Sequence, residues 1–195
     1  MKNMLVIAAS AAALMAPAAA SAQAVPGAVI AIVDLDKVTS TCTACKTALA
    51  ALTSKKAALE ARAKALTTPL ETEQKAIQAA FDALKGADPD AALQARAKAW
   101  DTKRQSAAQE MSRAQEQAQR DQAYIQKQIG DKLGPVYSQV MQKRGANVML
   151  EVGSTLATAQ SVDVTADVLA GLNAALPSIV TTAPAAPAQQ QPQGR

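Results

Sequence analysis

Apolar residues recur every seven positions in two long stretches of the chain, and this repeat constrains the fold more than any other feature. The first stretch carries the series Leu49, Ala63, Leu70, Ile77 and Leu84, with a companion series three residues on, Leu52, Leu59, Leu66 and Ala80. The second stretch carries the series Leu93, Trp100, Ala107 and Ala114, with its companion Ala97, Met111, Ala118 and Ile125. The polar exceptions are Lys56 and Glu73 in the first stretch and Arg104 in the second. Sustained heptads are typical of coiled coils. We therefore predict two long helices that pack along a narrow, alanine-rich seam.

A five-residue break separates the two stretches and predicts the tip of an antiparallel hairpin. Residues 86–90 read Gly-Ala-Asp-Pro-Asp, so Asp88 is the expected N-cap and Pro89 the expected first helical residue. The second helix is predicted to run to about Lys143 and to end at Gly145 as its C-cap. At 1.5 Å per residue, each arm would extend about 60–70 Å.

Two prolines lie within the predicted helices. Residues 68–71, Thr-Pro-Leu-Glu, match a capping box with proline at the first helical position, which predicts a kink or a restart at residues 67–69. Gly134 and Pro135 predict a bend in the second helix.

Short segments rich in β-branched residues flank the hairpin. Residues 29–33 predict a buried strand, residues 147–152 a second, and residues 155–159 a short third. Asp163 is expected to cap a final helix over residues 164–176. Two or three short strands make no self-sufficient sheet, and their open edges invite aggregation. The sequence thus predicts an α+β chain whose small β body is completed by pairing between subunits.

We expect the two terminal segments of the chain to lie outside this fold. Lys2, an apolar run over residues 4–15 and a small-x-small site at residues 20–22 or 22–24 are typical of a cleaved secretory signal peptide, which predicts a periplasmic protein. Residues 181–195 are rich in Ala, Pro and Gln and predict a disordered tail. The predicted organisation is therefore a signal peptide (1–22), a β-rich body (23–40 and 145–180), a helical arm (41–144) and a tail.

Composition narrows the functional classes. The chain has no His and two Cys, which excludes histidine-based catalysis and a four-thiolate zinc site within one chain. It contains no glycine-rich phosphate loop and no nucleophile–base pair, so we predict neither an enzyme nor a cofactor. Ala accounts for 48 of the 195 residues, and Leu, Ile, Val and Phe together for only 37. So thin a core indicates helices stabilised by partner helices or subunits.

Three segments then carry a family resemblance. Residues 31–38 (Ala-Ile-Val-Asp-Leu-Asp-Lys-Val) form an opening strand and turn, and residues 134–136 with 145–150 form a helix-to-strand return. Residues 163–169 (Asp-Val-Thr-Ala-Asp-Val-Leu) closely match a closing-helix motif, Asp-Ile-Thr-x-x-Val-hydrophobic. Over residues 28–176 the chain resembles the Skp/OmpH family of periplasmic chaperones.

The resemblance implies a homotrimer in which a small β-barrel body carries three helical tentacles around a cavity. It implies that the chain holds unfolded outer-membrane β-barrel proteins soluble without nucleotide. Further partners could be the outer-membrane assembly machinery, lipopolysaccharide or anionic lipid, and no nucleic acid is expected. Two other readings remain open: a structural coiled-coil spacer of the envelope, and a protein that binds lipopolysaccharide or anionic membranes.

The arms are also where charge is concentrated. Residues 46–85 and 90–144 hold 17 basic and 10 acidic residues, which suggests acidic partners. The densest basic stretch contains Lys55, Lys56, Arg62 and Lys64, which are candidates for client contact or for a solvated face. Phe81, near the tip, is a candidate for client contact or for packing.

Cys42 and Cys45 form a Cys-x-x-Cys pair at the start of the first long helix. In an exported protein, two such thiols usually form a disulfide. A local structural disulfide is favoured, because two residues three positions apart in a first helical turn are close enough to bridge. A bridge between subunits and a redox or metal role remain open, although no βαβ pattern supports a thioredoxin-like redox role.

Overall fold

The computed structural model describes residues 26–185. The predicted signal peptide and residues 186–195 of the predicted tail lie outside the described residues. The elements, in chain order, are β1 (Ile30–Val33), α1 (Leu35–Thr41), α2 (Thr43–Ala83), α3 (Ala91–Arg144), β2 (Val148–Glu151), two 3-10 turns (Val152–Ser154 and Gln160–Val162) and α4 (Thr165–Ala175). The described chain is a long hairpin of α2 and α3 on a small base that contains the other elements.

The two predicted flanking strands are confirmed and pair with each other. β1 and β2 are parallel, with Ile30 opposite Val148 and Val33 opposite Glu151. Parallel pairing requires a long crossover, and here the crossover is the whole helical hairpin. The predicted third strand is wrong, because residues 155–159 form no strand and Leu156 is fully exposed. A single bridge between Ile32 and Asp163 occupies the other side of β1 instead.

The closing motif joins the last helix to both strand β1 and helix α3. The backbone N–H of Val164 donates to Ile32 O at 2.8 Å, and Thr165 Oγ1 accepts from the backbone N–H of Asp34 at 3.0 Å. Asp163 was the expected N-cap, yet Val164 occupies that position; Asp163 Oδ1 nevertheless accepts from the backbone N–H of Thr165. Asp167 pairs with Arg144 at the end of α3. Asp163, Thr165 and Asp167 of the motif therefore each have a side-chain contact that explains the residue type.

The core of the base is built where α3, α4 and the opening segment meet. Val38, Val168 and Leu172 are fully buried, and Val136 is 1% exposed. A Cβ added to Gly171 would lie 2.9 Å from Val136 Cγ1, so α4 approaches α3 more closely than any larger residue would allow.

The predicted hairpin is confirmed, and its apolar seams lie between α2 and α3. Ile77 and Ile125 are buried and most other seam residues are half-buried. Leu49 is the exception, with 62% of its surface exposed near the base. Asp90, rather than the expected Asp88, caps α3, since its carboxylate accepts from the backbone N–H of Leu93 at 2.7 Å. Gly145 ends α3 in the left-handed conformation, as predicted.

The predicted restart at Pro69 is wrong. Pro69 lies inside the continuous helix α2, and the kink at residues 67–69 stays a prediction. Pro135 likewise lies inside α3, and the bend at Gly134 and Pro135 stays a prediction. Proline removes one helical hydrogen bond, but tertiary packing supplies most of the stability of a helix in a protein. The seam continues on both sides of Pro69, and Arg62–Glu110 and Glu73–Arg96 pairs tie both halves of α2 to α3. Those contacts outweigh the local capping signal.

Candidate functional site

The four basic candidates of the first arm separate onto two faces of α2. Lys55 and Arg62 lie two helical turns apart and both reach across to α3. Lys56 and Lys64 are exposed, and Lys56 is 4.0 Å from Glu60. Within the described residues, Lys64 has no carboxylate within ion-pair distance. Only Lys56 and Lys64 are therefore placed to meet a partner without first giving up an inter-helix contact.

Arg62 is held by a two-pronged contact with Glu110. Its Nε and Nη2 donate to the two carboxylate oxygens at 2.5 and 3.1 Å. This hydrogen bonding raises the pKa of Arg62 and lowers the pKa of Glu110. Arg96 makes the same type of contact with Glu73 nearer the tip, and the pKa of Glu73 is lowered for the same reason. These two ion pairs between α2 and α3 fix the register of the hairpin.

The aromatic candidates differ in their placement. Phe81 is half-buried near the tip, and its contact with a client stays a prediction. Trp100 packs in the seam as its heptad position predicts, and its indole Nε1 donates to Leu70 O at 2.9 Å. The guanidinium of Arg104 lies 5.6 Å from the ring centroid of Trp100.

Lys55 belongs to a polar cluster that sequence reasoning missed. Its Nζ lies 2.5 Å from Oδ2 of Asp121, a residue only 3% exposed. Burial alone would raise the pKa of Asp121, but hydrogen bonds from Lys55, from the backbone of Ala183 and from Gln117 outweigh it, and the pKa is lowered. Asp121 is the next member of the heptad series that contains Leu93 and Ala114, so a charge at a seam position was the signal available in the sequence.

The partner that completes this cluster comes from the predicted tail. Lys55 Nζ donates to Thr181 O at 2.5 Å, and the backbone N–H of Ala183 donates to Asp121 Oδ1 at 2.8 Å. The expectation of disorder from residue 181 is therefore wrong for the first residues of this segment. We call residues 177–185 the strap, because they leave α4 and lie against the hairpin.

Cys42 and Cys45 form a disulfide in the structure, with their Cα atoms 5.1 Å apart. Both are buried in the core of the base. Cys42 has a non-helical backbone that separates α1 from α2, and its Sγ accepts from the backbone N–H of Cys45. The disulfide thus lies where the first arm leaves the base, and its structural role stays a prediction.

Beside this joint, a groove of about 660 Å³ lies between α1 and the root of the hairpin. Its lining combines Asp34, Asp36 and Lys37 with the exposed Leu49. Within residues 26–185, no helix combines the length and the apolarity that a bilayer crossing requires.

Comparison with known proteins places this arrangement in a family. The family model described as "Outer membrane protein (OmpH-like)" matches residues 29–172. The chain belongs to the OmpH-like family. The match begins one residue before β1 and ends within α4, so it covers the base and the entire hairpin but not the strap.

A solved structure supports the OmpH-like fold. The crystal structure of an OmpH-like protein from Caulobacter crescentus CB15, described as a proposed outer membrane chaperone, superposes with a TM-score of 0.68 at 19% identity. The match covers 86% of this chain and 96% of that one, and at this identity it shows the fold alone. A search of curated proteins found no significant match.

Proposed function

We propose that this OmpH-like chain is a periplasmic chaperone that holds unfolded outer-membrane β-barrel proteins soluble without nucleotide. The observation that carries the proposal is the family architecture over residues 29–172, a hairpin of 41- and 54-residue helices on a small base. A holding chaperone needs a large surface that makes many weak contacts, and a paired-helix arm offers such a surface.

We further propose that the working unit is a homotrimer. The sheet has only two strands, and β2 has no strand on its outer side among the described residues. Val29, Ile30, Leu150 and Leu156 are exposed on the base. Unpaired strand edges beside exposed apolar side chains favour association. Pairing of these edges between three subunits would complete a closed barrel and direct three hairpins to one side of it.

The hairpin itself favours client holding over membrane binding. Its apolar seam is used between α2 and α3, and Leu49 is the one large apolar residue of the described hairpin that is clearly exposed. A helix that inserts into a membrane interface needs a broad apolar face. Exposed lysines such as Lys56 and Lys64 would instead contact acidic stretches of a client, a contact that salt weakens.

The proposal is tested by diluting a urea-unfolded outer-membrane β-barrel protein into buffer with the chain and following aggregation by light scattering. We expect suppression of aggregation near a ratio of three chains per client, with no nucleotide present. A variant carrying Lys56→Gln and Lys64→Gln should suppress aggregation less well at low salt. Lys127→Gln is the matched control, because Lys127 already pairs with Asp131 at 2.6 Å. Unchanged aggregation with the wild-type chain would refute the proposal.

A further inference from the structure

Residues 180–183 of the strap are hydrogen-bonded to the hairpin mostly through their backbone. Gln128 pairs with both backbone groups of Val180: its Oε1 accepts from the N–H at 3.0 Å, and its Nε2 donates to the carbonyl at 2.8 Å. Ala183 is bracketed in the same way, since its N–H donates to Asp121 Oδ1 at 2.8 Å and its carbonyl accepts from Gln117 Nε2 at 3.3 Å. Lys55 adds a contact to the carbonyl of Thr181 at 2.5 Å.

These contacts depend little on the side chains of the strap. Of the six strap hydrogen bonds to Gln117, Asp121, Gln128 and Lys55, only the one from Lys55 Nζ to Thr182 Oγ1, at 2.9 Å, involves a strap side chain. Strand-addition sites in other proteins likewise obtain affinity from main-chain hydrogen bonds. Here side-chain amides, a carboxylate and an ammonium on the hairpin take the place of a strand edge.

The side chains that bind the strap are held in place by contacts within the hairpin, and these contacts do not involve the strap. Gln117 Nε2 donates to Asp121 Oδ1 at 2.6 Å, and Arg120 Nη2 donates to Gln117 Oε1 at 2.5 Å. Lys55 remains paired with Asp121. Arg120 Nε is buried and has no acceptor among the described residues, so one donor beside Gln117 is unused. A site organised in advance binds a second ligand at little cost in ordering.

The strap is anchored at one end and lightly held at the other. Leu176 is buried and Ile179 packs against the core of the base, whereas Val180 is more than half exposed. Segments with few buried apolar contacts open at low free-energy cost. Residues 180–183 can therefore leave the hairpin while the base remains folded.

We propose that Lys55, Gln117, Asp121 and Gln128 form a binding site for the backbone of unfolded polypeptide, and that the strap occupies it until a client segment displaces it. The inference rests on the proposed function, because it names the client as the second ligand. The strap is thus an internal competitor at the root of the hairpin, present at a high effective concentration because it is tethered.

The first test uses the full exported chain, residues 23–195, and weakens the binding of the strap by a substitution in the strap itself. Ala183→Pro removes the N–H that donates to Asp121 and leaves the hairpin unaltered. Ala185→Pro is the matched control, because no hydrogen bond of its N–H is present among the described residues. The probe is a dye-labelled peptide with the sequence of residues 177–185, followed by fluorescence anisotropy. We expect Ala183→Pro to bind the peptide at least about tenfold more tightly than the wild-type and control chains, because the tethered competitor is weakened.

A second substitution in the Ala183→Pro chain tests the hairpin side of the site. Gln128→Leu should abolish the gain, since it removes both contacts to the position of Val180. Gln126→Leu should leave the gain intact, because Gln126 is an exposed amide of the same helix without a hydrogen bond among the described residues. Equal peptide binding by wild-type and Ala183→Pro chains would overturn the site.

The client is tested on the unaltered protein by amide hydrogen exchange. The N–H groups of Val180 and Ala183 should show measurable protection in the free chain and should exchange at least about tenfold faster once a urea-unfolded outer-membrane β-barrel protein is bound, since the client replaces the strap. Unchanged protection in a complex that demonstrably contains client would overturn the displacement. Absence of any complex would instead refute the proposed function, and the peptide experiment would still decide whether the site exists.

Discussion

The indole Nε1 of Trp100 donates a hydrogen bond to the backbone carbonyl of Leu70, 2.9 Å away on the opposite helix of the hairpin. Leu70 directly follows Pro69, the residue at which the helix was expected to restart. The bond therefore joins the two arms at the place where α2 lacks one backbone N–H. A groove of about 340 Å³ opens beside it, with Pro69 and Leu70 on one wall and Ala107 on the other.

Trp100→Phe should destabilise the hairpin by about 1 kcal/mol, because the ring is largely retained while a partly buried hydrogen bond is lost. Chemical denaturation followed by far-ultraviolet circular dichroism measures this, since Trp100 is the only Trp of the chain and its fluorescence disappears with it. Trp100→Ala should cost about 3 kcal/mol or more through the lost packing. Equal stability of the wild-type and Phe variants would show that the bond contributes nothing.

Pro69→Ala should stabilise the chain. Alanine restores the missing helical hydrogen bond in a helix that is already continuous from Thr43 to Ala83, and the gain could reach about 3 kcal/mol. The readout is the midpoint of thermal unfolding, with Ala65→Gly as an opposite control on the same exposed face. A lower midpoint for Pro69→Ala would mean that the proline shapes the arm in a way that alanine cannot reproduce.

Gly171→Ala should destabilise the base by about 1–3 kcal/mol, because the new Cβ would lie 2.9 Å from Val136 Cγ1. Val136 is 1% exposed and β-branched, so it has little freedom to move aside. Gly130→Ala is the matched control inside α3. Nothing lies within 4 Å of its added Cβ, and it should stabilise the chain by about 1 kcal/mol. If urea denaturation shows that both substitutions change the free energy of unfolding in the same direction, the close approach of α3 and α4 is contradicted.

The charge of Asp121 should support the folded state only where Asp121 is ionised. Its pKa is lowered in the folded chain, so the stabilisation is complete above its ordinary value of 3.8 and is lost as pH falls through the folded value. Asp121→Asn should therefore cost about 1–3 kcal/mol at neutral pH, through loss of the charged contact to Lys55. The cost should shrink as the pH is lowered from 5 to below 3. Thermal unfolding of the wild-type and Asp121→Asn chains across this pH range tests the direction of this change. The pKa values of Asp163 and Asp167 are also lowered, but both residues are present in both chains, so their effects cancel in the difference.

Much of the fold could be predicted because its signals repeat along the sequence. The heptads over two long stretches predicted α2 and α3 and placed Trp100 in the seam, and the β-branched runs predicted β1 and β2. Gly145 was predictable because the left-handed conformation strongly favours glycine. Each of these signals is local or periodic.

The errors arose where a local signal competes with distant contacts. The capping box at Pro69 is outweighed by the seam on both sides of it, and residues 155–159 find no strand partner among the described residues. The strap was missed because composition alone predicts disorder for an Ala/Pro/Gln segment. Its contacts come from Gln128, Asp121 and Lys55, which lie 52 to 126 residues away in sequence. The sequence could not show that Lys55 and Arg62, among the four basic candidates, would face α3.

Native mass spectrometry of residues 23–195, alone and mixed with a urea-diluted outer-membrane β-barrel protein, tests the proposed function most directly. We predict a trimer that takes up one client chain without nucleotide. A trimer that ignores the client would contradict the chaperone function while leaving the assembly standing. A monodisperse monomer at micromolar concentration would contradict the shared sheet on which the trimer depends.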